Sequence, residues 1–443
     1  MFLKIEKEIK NIVKILDHSS TYIVGGYVRD KLMHREPKDI DIVSYLSTVE
    51  MSKRLKLKPY IVNDRFNTAR FYFNDRFIDY NCIENINSDL KRRDFKINSI
   101  ACDLNGKIYD PLGGISDIDN KVINLSSTIS LGEDPIRILR AFRFKYQLGF
   151  ALSPSVKSSV KKNINLLSAS PKERIYIEFK ELLSHNDRGK ALRELYKAGI
   201  LCVIFPDLDK TLKFIHIKNK SRFLMGHLLN TVEAVDIVSK ERMPKEMRDY
   251  LKTRMFPLYL SALFHDYCKP ESFTVEKRKQ RFYNHDIMAS QRIEKMLKRD
   301  LKASNEETNI IARLIRMHMR PHFLLKEDRP TDRGIYRLFR ESADDAAGLM
   351  ILCMADVLSS EGRIERGYIS MFRRMKSIEA RILKKQVRLL NGDEIMEFFK
   401  IKPGRLIGEM IDSANSWAVE NNVTDKKIIF DYLKENFSEI KRQ

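Results

Sequence analysis

The sequence predicts an α+β fold, in which a small unit of mixed strands and helices comes first and a long, nearly all-helical part follows. Two observations support this order. Apolar residues in the first 124 positions change between helical spacing and alternation at every second residue, whereas from about Pro135 onward their spacing is that of helices. The chain has 443 residues, of which 43% are hydrophobic, enough for more than one core. We therefore expect several domains.

The first 124 residues have the pattern of a small α/β unit. An apolar run that ends at a Gly-Gly pair indicates a strand closed by a turn, and two alternating runs on either side of Asn74-Asp75 indicate a hairpin. The expected elements are a helix over 1–16, a strand over 22–24, a helix over 28–33 and strands over 39–43, 69–73 and 77–80. In the later part, helical spacing is clearest over 136–144, 175–183, 231–238 and 310–317.

Charge and cysteine content exclude several classes of protein. Lys and Arg number 81 against 60 Asp and Glu, a net charge of +21, which attracts polyphosphates such as nucleic acids, although a generally basic composition explains it too. No stretch approaches the roughly 20 apolar residues of a membrane span, and the five cysteines form no CxxC pair. The N-terminus lacks the pattern of a signal peptide. We expect a cytoplasmic protein without membrane contact or a disulfide framework.

The most informative segment joins Gly25-Gly26 to Asp39 and Asp41. A Gly-Gly turn between a strand and a helix lets backbone N–H groups approach a triphosphate closely. Positions 39 and 41 of a strand share a face, where two carboxylates repel each other unless a divalent cation such as Mg²⁺ lies between them. Such an ion activates a 3′-hydroxyl and holds nucleotide phosphates. A surface turn with two solvated aspartates is the alternative.

Other side chains near this segment complete the expected site. Arg29 is a candidate phosphate ligand, and Asp30 either orients Arg29 or caps the helix. Asp79, on the strand over 77–80, is the candidate third carboxylate, with Asp75 and Glu84 as nearby alternatives.

Six segments in this order resemble the class II tRNA nucleotidyltransferases and bacterial poly(A) polymerases of the polymerase-β superfamily. Because each segment follows the previous one in the family's order, chance agreement is very improbable. The segments are GGYVRD at 25–30, DID at 39–41, KRRDFKIN at 91–98, YDPLGG at 109–114, EDPIR at 133–137 and PKERI at 171–175.

The resemblance implies a template-independent nucleotidyltransferase whose residues hold the incoming nucleotide. Asp134 and Arg137 would read cytosine and adenine in place of template bases; three residues apart, they would share the face of a helix, where the plain alternative is a salt bridge. The catalytic residues implied are Asp39, Asp41 and Asp79, and the nucleotide-binding residues are Gly25, Gly26, Arg29, Asp30, Arg92, Arg93, Asp94, Asn98, Asp134, Arg137 and Arg140.

One departure from the family concerns the segment before Arg92. Members that add both C and A usually carry a flexible Arg- and Glu-rich loop between the third-carboxylate strand and the RRDF motif. Here only residues 81–91 separate Tyr80 from Arg92, without a comparable basic, Gly-containing stretch. In this family the absence of that loop goes with enzymes that stop after CC, so addition of the terminal A is open.

Histidines in the helical half form a second pattern. Together with Asp356 they resemble the HD superfamily of metal-dependent phosphohydrolases, although scattered histidines are usually ordinary polar residues. The resemblance implies a divalent transition metal on His227, His265, Asp266 and Asp356, with His285 and His318 for a second metal or for phosphate. Some bacterial tRNA nucleotidyltransferases carry this domain after the catalytic half.

The sequence therefore predicts a polymerase-β-like nucleotidyltransferase head with a mixed sheet (1–124), a helical neck and body (125–212), an HD domain (213–365) and a helical tail (366–443). The expected reaction is addition of the 3′-terminal CCA to tRNA from CTP and ATP, with pyrophosphate release and Mg²⁺ at the head. The alternatives are a CC-adding enzyme that needs an A-adding partner enzyme, a poly(A) polymerase, and an HD phosphohydrolase whose head senses nucleotides.

Overall fold

The computed structural model describes residues 2–5, 21–37, 39–63, 68–73, 76–218, 221–277, 279–327, 330–384, 390–421, 423 and 425–437. The chain divides into two compact units, Met1–Asp187 with Arg193–Pro206, and Arg188–Leu192 with Asp207–Gln443. The first unit contains a mixed sheet with helices and the second is almost entirely helical, so the predicted α+β class is confirmed. The division into four domains stays a prediction.

The first unit is built on a seven-stranded sheet. Its strand order is β3-β4-β5-β2-β1-β6-β7, with β2 and β5 parallel and the other neighbours antiparallel. The strands are β1 Thr21–Val24, β2 Ile40–Ser44, β3 Ile61–Asn63, β4 Thr68–Phe73, β5 Arg76–Cys82, β6 Ala101–Asp103 and β7 Ile108–Tyr109, and a separate parallel pair joins β8 Val122–Ile123 to β9 Ala151–Leu152.

The helices of the first unit begin at side-chain caps in several places. The side chains of Ser47, Asn85 and Ser153 each accept the backbone N–H three residues on, which satisfies one of the free donors at a helix start. The helices are α1 Gly26–Leu32, α2 Thr48–Leu55, α3 Ile86–Arg92, α4 Gly114–Asp119, α5 Ser130–Glu133, α6 Arg137–Leu148, α7 Pro154–Asn163, α8 Lys172–Leu182, α9 Arg188–Lys197, of which Arg188–Leu192 is assigned to the second unit, and α10 Ile200–Ile204, with 3₁₀ turns at Lys96–Asn98 and Ile164–Ala169.

Strand register decides which side chains share a face of the sheet. Asp41 of β2 lies opposite Val24 of β1 and beside Asp79 of β5, and Asp79 lies opposite Arg70 of β4. Paired residues project from the same face, so these three charged side chains lie in one row. Helix α3 packs on the same face, through a cluster that includes Val24 and Leu90.

The second unit is a helical assembly with two small hairpins. The hairpins pair β10 Ile215–Lys218 with β11 Ser221–Phe223, and β12 Phe273–Glu276 with β13 Lys279–Phe282. The helices are α11 Asp209–Leu212, α12 Leu224–Val238, α13 Lys245–Thr253, α14 Met255–Phe264, α15 His285–Lys295 with a π-helical turn Met296–Asp300, α16 Asn305–Met317, α17 Met319–Lys326, α18 Asp332–Ser342, α19 Ala346–Glu361, α20 Gly367–Lys384, α21 Gly392–Phe399, α22 Arg405–Asn421 and α23 Lys426–Asn436, with 3₁₀ turns at Pro206–Leu208 and Ala343–Asp345.

The core of the second unit lies around α12, α14 and α19. These three helices are apolar on nearly all sides and pack against one another, as expected of helices that have no face left to water. A buried carboxylate anchors the start of α19: Asp345 accepts hydrogen bonds from Arg254 at 2.8 Å, Arg313 at 2.6 Å and the Tyr250 hydroxyl at 3.2 Å. Among the described residues, no helix is long and apolar enough to cross a bilayer.

Most of the expected elements are present. Strands occupy 22–24, 69–73 and 77–80 as predicted, and helices cover most of the four stretches with helical spacing. The strand expected over 39–43 begins at Ile40, so Asp39 lies just before it. The helix predicted over 1–16 and the turn at Asn74-Asp75 fall largely outside the described residues. The hairpins β10–β11 and β12–β13 were missed, because each strand has only three or four residues.

We predict that Asp345→Ala destabilises the second unit by about 2–4 kcal/mol, because two arginines and a tyrosine lose a fully buried acceptor. Urea unfolding followed by circular dichroism measures the loss. The matched control is Asp344→Ala, which removes the neighbouring exposed carboxylate. Equal unfolding midpoints for the two variants would contradict this account of how α19 is anchored.

Candidate functional sites

Gly25 forms the turn between β1 and α1 with a backbone that other residues rarely adopt. Its φ is +70°, in the left-handed region, and an added Cβ would meet both Arg93 Nη1 and Asp41 Oδ2 at 2.9 Å. The turn therefore brings bare backbone next to a carboxylate and a guanidinium. The Gly25 N–H itself donates to the Ile100 carbonyl at 3.2 Å, and the contact of this turn with phosphate stays a prediction.

The three predicted carboxylates lie near one another but are not equivalent. Asp39 is exposed, whereas Asp41 is largely covered. Burial raises the pKa of Asp41, Arg93 lowers it, and the charges of Asp79 and Asp39 raise it further. In the described part of the chain, these three aspartates do not bring three ligand atoms within 4.8 Å of one another. The arrangement concentrates negative charge at Asp41, which favours a bound cation.

Asp79 has a partner that the sequence did not indicate. Arg70 donates to it from Nε to Oδ1 at 2.6 Å and from Nη2 to Oδ2 at 2.7 Å, a bidentate pair across β4 and β5. Because both oxygens accept from this guanidinium, Asp79 is less available than Asp39 and Asp41 as a ligand for an ion.

Asp89 holds the two arginines of the RRDF motif and was also missed. It is buried within α3, where Oδ1 accepts from Arg92 Nη2 at 2.7 Å and Oδ2 accepts from Arg93 Nε at 2.9 Å. This arrangement leaves Arg93 Nη1 beside Gly25 and Asp41. Asp89 lies three and four residues before the two arginines, so helical spacing was the signal that could have found it.

A continuous hydrogen-bonded network joins four of the predicted nucleotide-binding residues. Arg29 donates to Asn98 Oδ1 at 2.6 Å, and Asn98 donates to Asp94 Oδ1 at 3.0 Å. Asp94 Oδ2 accepts from Arg140 Nε at 2.8 Å. Burial raises the pKa of Asp94, but Arg140 and Asn98 outweigh it and lower the pKa overall. Since Arg29 also donates to Asp30 at 2.7 Å, the network includes both of these neighbouring residues of α1.

Asp134 and Arg137 do not share a helix face, which corrects the prediction. Asp134 ends α5 with an extended backbone, φ −139° and ψ 94°, because the following Pro135 disfavours the helical conformation, and α6 begins only at Arg137. Asp134 Oδ2 accepts from Arg174 Nη2 at 2.8 Å. Arg137 donates to Ser130 Oγ at 2.7 Å and to the Arg92 carbonyl at 2.9 Å.

These residues line one open cavity of about 620 Å³ in the first unit. Every predicted head residue lines it except Arg92, whose guanidinium is mostly exposed and bound to Asp89. Arg143, Phe144 and Arg174 also line the cavity; Arg174 belongs to the PKERI segment, but none of the three was predicted as a site residue. Opposite charges are interspersed on its walls, which suits a ligand that combines phosphates, a cation and a polar base.

A second candidate site lies in the second unit, where all the predicted histidines meet. Its residues come from five places in the chain: His227 from α12, His265 and Asp266 from the end of α14, His285 from the start of α15, His318 from the junction of α16 and α17, and Asp356 from α19. Two sets, His227 with His265 and Asp266, and Asp266 with His285 and His318, each bring three ligand atoms within 4.8 Å.

Asp266 lies between the two sets. Its Oδ2 is 3.4 Å from His227 Nε2 and 3.3 Å from His265 Nε2, while its Oδ1 is 3.1 Å from His285 Nε2 and 3.4 Å from His318 Nε2. Asp356 adds a second carboxylate, whose Oδ1 is 3.3 Å from His227 Nε2. One carboxylate can therefore be shared by two ions.

Hydrogen bonds to Nδ1 turn the imidazoles toward Asp266. The Nδ1 atoms of His265, His285 and His318 lie 2.7–2.9 Å from backbone carbonyls, which only accept, so each Nδ1 carries a proton and, in the neutral imidazole, each Nε2 has a lone pair. The Nε2 atoms of His227 and of these three histidines are buried without a hydrogen-bond partner, as is Asp266 Oδ1. Unsatisfied lone pairs that converge in this way fit a divalent transition metal.

Burial and neighbouring charges shift the pKa values of several groups in this cluster far from their usual range. Burial lowers the pKa of His265, but Asp266 and Asp356 outweigh it and raise the pKa to about 10. Burial lowers the pKa of His318 to about 4. Lys269 contacts Asp266 Oδ2 directly and helps to hold the pKa of that carboxyl well below its usual range. Sequence reasoning missed His322, whose Nε2 is 3.2 Å from Asp356 Oδ2.

The family models that match this chain cover most of the first unit, where the first candidate site lies. The model of the poly A polymerase head domain matches residues 21–81 and 71–124, and that of the probable RNA- and SrmB-binding site of polymerase A matches residues 149–212. In fold, the chain is similar to the Thermotoga maritima CCA-adding enzyme complexed with tRNA, with a TM-score of 0.64 at 20% identity over 98% of this chain and 96% of that one.

Two sequence relatives define the family. The CC-adding tRNA nucleotidyltransferase of Halalkalibacterium halodurans is 34% identical over 200 residues, 44% of this chain and 53% of that enzyme, so the chain spans about half its length. The CCA-adding enzyme of Lactococcus lactis is 30% identical over 274 residues, 54% of this chain and 68% of that enzyme. With more than two thirds of that relative covered, the chain belongs to the family of the CCA-adding enzymes.

Proposed function

We propose that the chain transfers nucleotides from CTP and ATP to the 3′ end of tRNA and releases pyrophosphate. The observation that carries the proposal is the position of Asp41 beside the Gly25 turn, because it joins a carboxylate pair to a backbone that phosphates can approach. Membership of the CCA-adding family supports the same reaction.

Each side chain at this site has a role in the proposed reaction. A divalent ion such as Mg²⁺, held by Asp39 and Asp41, would supply the positive charge that lowers the pKa of the acceptor 3′-hydroxyl and neutralises the triphosphate. The glycines of this turn carry no side chain, so phosphate oxygens can pack against its backbone, in which the Gly25 N–H donates to the Ile100 carbonyl at 3.2 Å. Arg93, oriented by Asp89, faces the same oxygens and compensates their charge.

Base selection falls to Asp134 and Arg137, with Arg174 in contact. A carboxylate and a guanidinium together offer acceptors and donors that match the edge of cytosine or adenine without a template strand. In this structure Arg174 holds Asp134 Oδ2 at 2.8 Å, so one Asp134 oxygen is already engaged. The other oxygen, together with the Arg137 donors that do not bind Ser130 and the Arg92 carbonyl, is available to bind the base.

The acceptor we propose is RNA. The net charge of +21 favours a polyphosphate partner, and residues 149–212 match a model described as a probable RNA-binding site. The related Thermotoga maritima structure contains tRNA, which makes the tRNA 3′ end the first acceptor to test.

A CC-adding enzyme is the closest alternative, and one observation favours it. The strand that carries Asp79 ends at Cys82 and α3 begins at Ile86, so no long loop lies between this strand and the RRDF motif. A short connection has little reach to reorganise the pocket from cytosine to adenine. In that case a separate A-adding enzyme would complete the tRNA.

A second activity is proposed for the second unit, supported by the converging lone pairs around Asp266. Bound divalent ions would supply the Lewis acidity for phosphate-ester hydrolysis, as in the HD phosphohydrolases that the sequence resembles. The chain's own residues orient the ligands: the backbone carbonyls at Ala262, Phe282 and Ile315 fix the three imidazole tautomers. Lys269 lies beside Asp266, where a substrate phosphate would meet its charge.

We predict that Asp41→Ala lowers nucleotide incorporation at least about a thousandfold while tRNA binding stays largely intact, because the change removes an ion ligand and no part of the RNA-binding segment. Incorporation of labelled CTP and a filter-binding assay measure the two quantities. Asp119→Ala, which removes an exposed carboxylate at the end of α4, is the control. Wild-type incorporation by the Asp41 variant would remove Asp41 from the mechanism.

We predict that Asp89→Ala lowers kcat/KM for CTP about 10–100-fold, because Arg93 loses a buried charge-assisted hydrogen bond that orients it. Asp89→Asn keeps one acceptor oxygen and should lose less. Steady-state kinetics at saturating tRNA give the values, and Glu84→Ala, an exposed carboxylate just before α3, serves as control. An unchanged kcat/KM in folded Asp89→Ala would show that Arg93 needs no such support.

We predict that tRNA lacking its 3′ CCA gains two nucleotides with CTP alone. With CTP and ATP together, a third nucleotide marks a CCA-adding enzyme, and a product that stops at two marks a CC-adding one. Gel electrophoresis at single-nucleotide resolution separates these products. Long tails from ATP alone would instead identify a poly(A) polymerase, and no incorporation of CTP would contradict the proposed function.

We predict that the chelator-treated protein takes up Co²⁺ or Mn²⁺ at the second unit, and that Asp266→Ala removes most of this binding because that carboxylate is shared by both ligand sets. Equilibrium dialysis with metal analysis measures the ions bound per chain, in excess Mg²⁺ to occupy the head carboxylates. Asp286→Asn, next to His285, is the control. Metal uptake by the Asp266 variant equal to that of the wild type would exclude this centre.

A further inference from the structure

His322 lies beside the proposed metal centre although it belongs to neither ligand set. It is one helical turn after His318, on α17, so the two imidazoles share a face of that helix. Its Nε2 is buried without a hydrogen-bond partner, at 3.2 Å from Asp356 Oδ2. Its Nδ1 lies 2.6 Å from the hydroxyl of Tyr368, at the start of α20.

The geometry of His322 repeats that of the histidines around Asp266. Those imidazoles place Nε2 at 3.1–3.4 Å from a carboxylate oxygen, and His322 does so at 3.2 Å. Nitrogen and oxygen ligands that each lie about 2.1 Å from one ion are themselves separated by about 3.0–3.4 Å. A hydrogen bond would also have such a length, but the Nε2 atoms of all five histidines are buried without a hydrogen-bond partner.

The two oxygens of Asp356 face different histidines. Oδ1 lies toward His227, at 3.3 Å, whereas Oδ2 lies toward His322. Asp356 therefore presents its second oxygen and the His322 lone pair to the same place. No residue of the HD resemblance accounts for this second oxygen.

We propose that His322 is a metal ligand, which binds through Nε2 together with Asp356 while its Nδ1–H donates to the Tyr368 hydroxyl. The centre then has five imidazoles around two carboxylates. This inference rests on the proposed metal centre and deepens it. The rival role is that of a clamp, in which Nε2–H donates to Asp356 Oδ2 and His322 stays outside the coordination shell.

Two substitutions at position 322 separate these roles. His322→Ala removes both a ligand and a clamp. His322→Gln keeps an N–H that can donate to Asp356 but replaces the imidazole lone pair by a weak amide ligand. His216→Gln is the matched control, because this buried histidine packs against His227 while its Nε2 is 3.4 Å from Lys269.

The experiment is a titration of the full chain, freed of metal by chelation, with Co²⁺ in excess Mg²⁺, read as affinity and as the visible absorption of bound Co²⁺. We expect His322→Ala and His322→Gln to weaken Co²⁺ binding at least about tenfold and to change the absorption spectrum alike, since each loses one imidazole. Tyr368→Phe, which removes only the partner of Nδ1, should weaken binding less and keep the spectrum.

Each result of this titration either supports His322 as a ligand or overturns that role. Wild-type affinity and spectrum in His322→Gln, with loss only in His322→Ala, would overturn the proposal in favour of the clamp. Unchanged affinity in both variants would also overturn it. If wild-type protein bound no Co²⁺, the proposed metal centre itself would fail, whereas nucleotide addition by the first unit would be untouched. Thermal unfolding of each metal-free variant shows that the fold is retained.

Discussion

The first unit depends on one electrostatic constraint, the accumulation of carboxylates on one face of its sheet. Register places Asp41 beside Asp79, and Asp39 is two residues earlier in the chain. Burial raises the pKa of Asp41, and its acidic neighbours raise it further, so the ionised form requires compensating positive charge. Arg93 supplies part of it, Arg70 neutralises Asp79, and the proposed divalent ion supplies the rest.

The elements around this face of the sheet place other charged groups next to these carboxylates. Helix α3 packs on the same face and ends where Asp89 can direct Arg93 toward Asp41. Gly25 closes the neighbouring strand without a Cβ, which would meet both of these charged groups at 2.9 Å. The network from Arg29 through Asn98 and Asp94 to Arg140 holds four other side chains that line the cavity in place. The second unit also buries carboxylates, but the groups that surround them are imidazoles, whose tautomers are set by hydrogen bonds to backbone carbonyls.

The sequence predicted best those site residues that lie close together in the chain. Gly25, Asp39 and Asp41 lie within one strand–helix–strand segment, so spacing alone brought them together, and helical and strand periodicity gave the class of fold. The prediction that Asp134 and Arg137 share a helix face was wrong because the conformational effect of Pro135 outweighed helical spacing. Arg70, Arg174 and His322 were missed because their partners Asp79, Asp134 and Asp356 lie 9, 40 and 34 residues away, and no periodic pattern links such pairs.

The central claim is that Asp39 and Asp41 share a cation beside the Gly25 turn. A crystal structure with Mn²⁺ and a non-hydrolysable CTP analogue, with data collected at the manganese absorption edge, tests it most directly. The account predicts an anomalous peak about 2.0–2.3 Å from an oxygen of each aspartate, with the triphosphate along Gly25 and Gly26. A nucleotide and ion bound in the cavity without contact to Asp41 would contradict it.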